Sequence, residues 1–196
     1  MIELEGDLPV LLPDVEYHPS ENRDQRPVDT AIDLLVIHSI CLPPGEYGGA
    51  WIDDLFLNRL DPNAHAYFAT LRDLRVSSHL LIRRDGEIVQ YVPFDQRAWH
   101  AGESNFCGRW RCNDFSIGIE LEGGDEGPFT EPQYQALAQA THWLMQRYPG
   151  IRETRITSHS AIAPGRKTDP GPHFDWHQYR TLLQSVREGD PGPRPA

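Results

Sequence analysis

The run Asp33-Leu34-Leu35-Val36-Ile37-His38 is continuously apolar, rich in branched residues and closed by an imidazole, which predicts a strand covered on both faces with His38 at its end. Between Phe115 and Leu121 the pattern changes to period two. Phe115, Ile117, Ile119 and Leu121 share one face, and Ser116, Gly118 and Glu120 the other, so Glu120 is expected on a face that two small residues clear for a ligand. His79 to Arg84 and Glu87 to Val92 read as two strands joined by a two-residue Asp85-Gly86 turn. Helical spacing appears at Trp51, Leu55, Phe56 and Leu60. It appears again along Tyr134, Leu137, Ala138, Thr141, Leu144, Met145 and Tyr148, where Thr130 and Gln133 form a capping box and Pro149-Gly150 a stop. Arg155 to Thr157 suggests a short strand, and the segment from Asp175 or Trp176 to Val186 a last helix. Strands mixed with helices predict an α/β (α+β) fold, a mixed central sheet flanked by helices.

Breakers bound this pattern. Pro9, Pro13, Pro19 and Pro27 with the polar run Ser20 to Gln25 make roughly the first thirty residues an irregular arm, and Glu188 to Ala196 a Pro/Gly-rich tail. The 196 residues between and including them suit a single catalytic domain. The longest apolar runs are strand-sized, so no membrane span is expected. The start M-I-E-L-E-G-D-L-P-V has no basic and apolar leader pattern, which makes the cytoplasm the expected location. Cys41, Cys107 and Cys112 are an odd set without a metal or disulfide spacing, as in a reducing compartment. A net charge of -11 argues against nucleic acid or an anionic membrane as a partner. A small anionic ligand remains open, given a local cluster such as Arg83, Arg84, Arg97, Arg109 and Arg111.

The chemistry concentrates in T-S-H-S-A-I-A-P-G-R-K-T-D-P, residues 157–170, read as a loop around Pro164-Gly165. It carries His159, Asp169 and Lys167, and Lys167 is the one Lys among 18 basic residues. Catalytic zinc takes three protein ligands and keeps an open position, and His38, His159 and Asp169 can supply two imidazoles and a carboxylate. Glu120 is then a candidate general base and Lys167 an oxyanion stabiliser, a set that describes amide hydrolysis. Residue types alone leave competitors: His79 and His100 among nine histidines, Glu122 beside Glu120, and Asp169-Pro170 as a plain turn opener.

Five segments narrow these alternatives: L-L-V-I-H-S-I-C-L-P-P-G-E-Y-G-G (34–49), D-P-N-A-H-A-Y-F (61–68), L-I-R-R-D-G-E-I-V-Q-Y-V-P-F-D-Q-R-A-W-H-A-G (81–102), R-C-N-D-F-S-I-G-I-E-L-E-G (111–123) and S-H-S-A-I-A-P-G-R-K-T-D-P-G-P (158–172). Together they resemble the zinc-dependent N-acetylmuramoyl-L-alanine amidases of the amidase-2 type, and within them the cytosolic branch that acts on anhydromuropeptides in cell-wall recycling. The resemblance implies the fold shared with peptidoglycan recognition proteins. It also implies zinc on His38, His159 and Asp169, a catalytic pair Glu120 and Lys167, and a muropeptide substrate cut between the lactyl group of 1,6-anhydro-N-acetylmuramic acid and L-alanine. Arg111 and Trp99 match substrate-side positions of the family. Ser39 stands where the pattern commonly has Asn, which bears on substrate contact. Two other readings are a periplasmic amidase acting on intact peptidoglycan and a peptidoglycan-binding module without turnover.

Overall fold

The computed structural model describes residues 9–124 and 127–189. In chain order the strands are β1 (Glu16–Tyr17), β2 (Arg23–Gln25), β3 (Leu34–Ile40), β4 (Leu80–Ile82), β5 (Ile88–Gln90), β6 (Gln96–Ala98), β7 (Asn105–Phe106), β8 (Arg109–Trp110), β9 (Ser116–Glu122) and β10 (Ile156–Ser158). The helices are α1 (Trp51–Phe56), α2 (Ala66–Ala69), α3 (Glu131–Arg147), α4 (His159–Ile162) and α5 (Trp176–Arg187). A six-stranded sheet runs β1-β5-β4-β9-β3-β10, parallel except for the antiparallel β4–β5 pair. This is the mixed sheet flanked by helices that the pattern predicts.

β3 and β9 are the centre, and both are covered on each face as a parallel core strand requires. Leu35, Ile37, Ile117, Ile119 and Leu121 join one buried cluster with Leu137 and Leu144 of α3 and Tyr179 and Leu183 of α5. Alternation sends Leu34, Val36 and His38, and with them Ser116, Gly118 and Glu120, to the opposite face. The polar row therefore lies on the side of the sheet away from the two long helices.

α3 begins as its sequence signals require. Thr130 Oγ1 accepts the Gln133 N–H at 3.3 Å, and Gln133 Oε1 accepts the Thr130 N–H at 3.1 Å. Gln133 Nε2 then donates to the carbonyls of Ile82 (3.2 Å) and Glu122 (2.9 Å), so the cap also fixes the helix to β4 and β9.

Three local expectations change. The β4–β5 connection has three residues, not two. Arg83 pairs with Glu87 and the Gly86 N–H returns to the Arg83 carbonyl at 2.9 Å, a turn closed by a left-handed glycine at φ 91°. A Cβ on Gly86 would also lie 3.0 Å from the Pro132 carbonyl at the start of α3. The N-terminal arm is not wholly irregular, because β1 extends the central sheet and β2 pairs with β6. Its polar run is partly buried: Ser20 Oγ donates to the Phe56 carbonyl at 2.5 Å and Asn22 Nδ2 to the Val76 carbonyl at 2.7 Å, bonds that offset their desolvation. Segment 157–170 is not all loop, since β10 runs into the single turn of α4. The predicted tail lies outside the described residues from 190 onward.

A buried carboxylate fixes α1 to the sheet. Asp53, 6 % exposed, accepts from Tyr91 Oη at 2.5 Å, lies 3.0 Å from His18 Nδ1 and is ion-paired with Arg83. Burial works to raise its pKa, but hydrogen bonds from Tyr91, His18 and Arg83 outweigh that and hold the group below the usual carboxylate range. Asp53→Ala leaves the buried Tyr91 hydroxyl without its acceptor and takes from Arg83 one of its two carboxylate partners, Glu87 remaining, and is expected to cost roughly 1–3 kcal/mol in chemical denaturation. The wild-type advantage should be complete above the ordinary carboxylate pKa and fade as pH falls through the depressed one.

Candidate active site

Strand register assembles the first part of the site. His38 is the direct partner of Glu120 across β3 and β9, and Ser158 partners Ile37, so His159 follows β10 in the row next to His38. Three adjacent parallel strands thus deliver His38, Glu120 and His159 at their carboxyl ends, the usual position for ligands in such sheets. Asp169 arrives from the far side of α4, where its carbonyl accepts the Ser160 N–H at 3.0 Å and ties the loop back onto the helix start.

The three donor atoms converge. His38 Nδ1 and His159 Nδ1 are 2.9 Å apart, and Asp169 Oδ2 lies 3.1 Å from the first and 3.0 Å from the second. Bonds of about 2.0–2.1 Å at tetrahedral angles separate zinc ligands by roughly 3.3 Å, so this triangle matches one face of such a site. His159 Nε2 lies 3.1 Å from the Ala101 carbonyl, which can only accept, so the ring proton sits on Nε2 and Nδ1 turns a lone pair inward. Lone pairs set around a common point repel one another unless a cation joins them, and the donor set fits a divalent metal. Among the described residues it is the one group of three or more His, Cys, Asp or Glu close enough to hold an ion.

Burial gives each group a distinct charge preference. It pulls His38 down to about 4, keeping that imidazole neutral. Burial also works to raise Asp169, but the closeness of its Oδ2 to the His159 and His38 rings outweighs that and holds the carboxyl below the usual range, ionised. Glu120 has no such bonds. Burial, then the Asp169 charge, push its carboxyl well above the usual range, with Lys167 opposing. Glu120 Oε2 is buried without a hydrogen-bond partner among the described residues, while Oε1 lies 3.9 Å from His38 Nδ1. A basic, unengaged carboxylate beside a metal-type triad is an arrangement suited to proton transfer.

Glu120, His159, Asp169 and Lys167 open onto a cavity of about 560 Å³ whose lining also includes Ser39, His100 and Arg166, with His38 buried beneath it. Tyr47, Tyr67 and Leu74, all partly exposed, add an apolar rim. Ser39 therefore does face the cavity, whereas Arg111 and Trp99 do not line it. Arg111 is an exposed, left-handed residue paired with Asp114 at 3.3 Å, and Trp99 Nε1 donates to Asp24 at 3.2 Å. The expected arginine cluster is also engaged elsewhere: Arg83 with Asp53, Arg97 with Asp24 and Asp114, Arg109 with Asp33 and over the Phe115 ring, and Arg84 with Gln133. Arg166, which the sequence reading passed over, is held by the carbonyls of Ala101 and Glu103, both at 2.6 Å, on the cavity wall beside Lys167. Its position next to the singular Lys was the available signal.

Two competitors find structural roles. Glu122 is buried and accepts N–H groups of Gly48 (2.5 Å) and Arg84 (3.2 Å), which leaves Glu120 as the unengaged acid of the strand. His79 Nδ1 accepts the Gly118 N–H at 3.0 Å inside the sheet. The room above Gly118 that the sequence offered to a ligand is instead filled by the His100 ring.

Comparison with known proteins identifies the family. The family described as N-acetylmuramoyl-L-alanine amidase (amidase-2) matches residues 28–172. The curated protein 1,6-anhydro-N-acetylmuramyl-L-alanine amidase AmpD of Citrobacter freundii is 62% identical over 165 residues, covering 84% of this chain and 88% of its own. AmpD of Escherichia coli is 61% identical, covering 84% and 90%. A crystal structure of an AmpD derivative superposes with a TM-score of 0.86 at 60% identity, covering 88% of this chain and 96% of that one. The amidase AmiD of E. coli, solved with anhydro-N-acetylmuramic acid-L-Ala-D-gamma-Glu-L-Lys, matches with a TM-score of 0.57 at 32% identity, covering 87% and 68%. A match over most of the chain, to relatives sharing three residues in five, has one reading: this protein is a member of the N-acetylmuramoyl-L-alanine amidase family of the amidase-2 type.

Proposed function

We propose that the protein is a zinc amidase that hydrolyses the bond between the lactyl group of 1,6-anhydro-N-acetylmuramic acid and L-alanine in soluble muropeptides. The observation that carries the reading is the buried, unpartnered Glu120 Oε2 beside three converging donor atoms. A module that only binds has no use for a carboxyl group with one oxygen buried and kept without a partner. His38, His159 and Asp169 hold the metal, and zinc suits two imidazoles and one carboxylate with a position left open. Bound there, such an ion would supply Lewis acidity for a carbonyl oxygen and lower the pKa of water.

The protein's own groups carry the protons. Glu120 takes the proton of the attacking water as its oxygen bonds to the lactyl carbonyl carbon. It returns that proton to the alanine nitrogen as the C–N bond breaks, releasing a carboxylic acid and an amine. Its raised pKa makes it the stronger base for the first transfer and a ready acid for the second. Lys167, on the cavity wall, donates to the oxygen on which negative charge develops. Arg166 and Lys167 also place local positive charge where an anionic muropeptide must enter, against the global charge of -11. Ser39 lies at the cavity wall, within the set of residues that meets substrate.

We place the reaction in the cytoplasm, which suits three cysteines that are all unpaired. No helix among the described residues is long and apolar enough to cross a membrane. The test is product analysis by mass spectrometry. Anhydromuropeptide should yield free anhydro-N-acetylmuramic acid and a peptide with a new L-alanine amine, whereas isolated sacculi should release peptide far more slowly. Equal rates on the two would overturn the soluble-substrate reading in favour of an envelope amidase.

A further inference from the structure

His100 is buried beside the metal-type triad and is not one of its three donor residues. Its Nδ1 lies 2.9 Å from His38 Nε2, and its Nε2 lies 3.0 Å from Ser116 Oγ. The ring sits directly on β9, where an ideal Cβ at Gly118 would come within 2.5 Å of its Cγ. Glycine is thus required at 118 to seat the imidazole. The His100 backbone is fixed as well, because Asn113 Oδ1 accepts the N–H groups of His100 (3.2 Å) and Ala101 (2.8 Å).

The two metal-type histidines differ in what stands behind them. His159 has a backbone carbonyl behind its Nε2, so its tautomer has one answer. His38 has another imidazole behind its Nε2, and an imidazole can either accept or donate. If Ser116 Oγ accepts the His100 Nε2–H, then His100 Nδ1 accepts the His38 Nε2–H, and His38 Nδ1 offers a lone pair to the donor triangle. In the reverse order Ser116 donates to His100, His100 donates to His38, and the His38 proton falls on Nδ1, among the ligand atoms. Both orders contain the same number of protons. Which one holds decides whether His38 can ligate at all.

We propose that His100 is a positioning residue for the metal: by accepting the His38 Nε2–H it holds His38 in its ligating tautomer, with Ser116 as the far anchor and Gly118 as the seat. The neighbouring His79 does not compete for this role. Its Nδ1 is taken by the Gly118 N–H and its Nε2 faces the Gln96 carbonyl at 3.1 Å, so it walls the far side of the His100 ring without a hydrogen bond to it. The inference rests on His38 being a metal ligand, as proposed above.

The test is zinc affinity by chelator competition on the full chain, with thermal melts of the metal-free forms as the check on folding. His100→Leu fills the seat without an acceptor and is expected to weaken zinc 10–100-fold, the usual effect of losing a partner behind a ligating histidine. His100→Asn keeps an acceptor at the position of Nδ1 and should restore affinity to within a few-fold of wild type. Ser116→Ala, a smaller perturbation, should weaken zinc by less than His100→Leu and serves if that variant does not fold. Imidazole ¹⁵N spectra of the zinc-loaded wild type should show His38 protonated at Nε2 and His100 as the partner of that proton. Wild-type affinity in a folded His100→Leu, or equal losses in His100→Leu and His100→Asn, would overturn the positioning role. A wild-type protein that takes up no zinc would instead sink the metal assignment on which it rests.

Discussion

Glu120→Gln should lower turnover on anhydromuropeptide by roughly 10²–10⁴-fold, the range ascribed to a positioned acid-base group. Glutamine keeps the shape and one acceptor oxygen but cannot carry a proton between water and the leaving amine. Two features set the expectation apart from that of an ordinary buried acid. Oε2 has no hydrogen-bond partner to lose, and the side chain lies on a strand whose register with β3 is fixed by seven paired positions. The amide should therefore fold as well as the acid, or slightly better, because burial of the carboxyl already disfavours charge. The measurements are steady-state kinetics with metal content and thermal melts alongside. Zinc should stay bound and KM change little while kcat falls. A variant retaining a tenth or more of wild-type kcat would remove Glu120 from the proton path.

Asp169→Ala should fail in a different way. Its Oδ2 is the one anionic donor of the triangle, and without it two neutral imidazoles 2.9 Å apart must share an ion unaided. Zinc content after dialysis should fall towards zero and turnover with it, with partial recovery at high added zinc if the imidazoles stay in place. Recovery is the informative arm. It distinguishes loss of a ligand from collapse of the 164–169 segment, which the Ser160 N–H to Asp169 carbonyl bond helps to hold through backbone atoms that the substitution keeps. Full zinc occupancy in a dialysed, folded Asp169→Ala protein would refute its role as a ligand.

Much of the frame was readable from the chain because periodicity and caps are local. The branched run of β3, the alternation of β9 and the Thr130 capping box each follow from neighbouring residues, and each appears where the pattern puts it, within one or two positions. The candidate ligands were legible as residue types, but their convergence was not. His38 and His159 are 121 positions apart, and only the β10–β3–β9 order makes them neighbours. Alternation placed Glu120 on a cleared face correctly and misjudged what the clearing was for, since no local signal says that His100 comes to lie on Gly118. The arginine cluster was misleading for a similar reason: charge in the sequence does not reveal which carboxylate will claim it, and Asp24, Asp33, Asp53 and Asp114 claim four of the five. Turn length was missed because Asp-Gly serves both a two-residue hairpin and the end of a three-residue one, and strand pairing beyond the dipeptide decides between them.

The Ala101 carbonyl accepts from both His159 Nε2 and the Arg166 guanidinium. One oxygen is therefore the common peg for the ring that faces the triad and for the chain segment that carries Lys167. A ligand that pulled Arg166 away would free a lone pair on that oxygen and strengthen its hold on the imidazole proton, making His159 a better electron donor. Occupancy at the wall of the cleft and the electronic character of its floor are in this way joined through a single peptide group, with no moving domain between them.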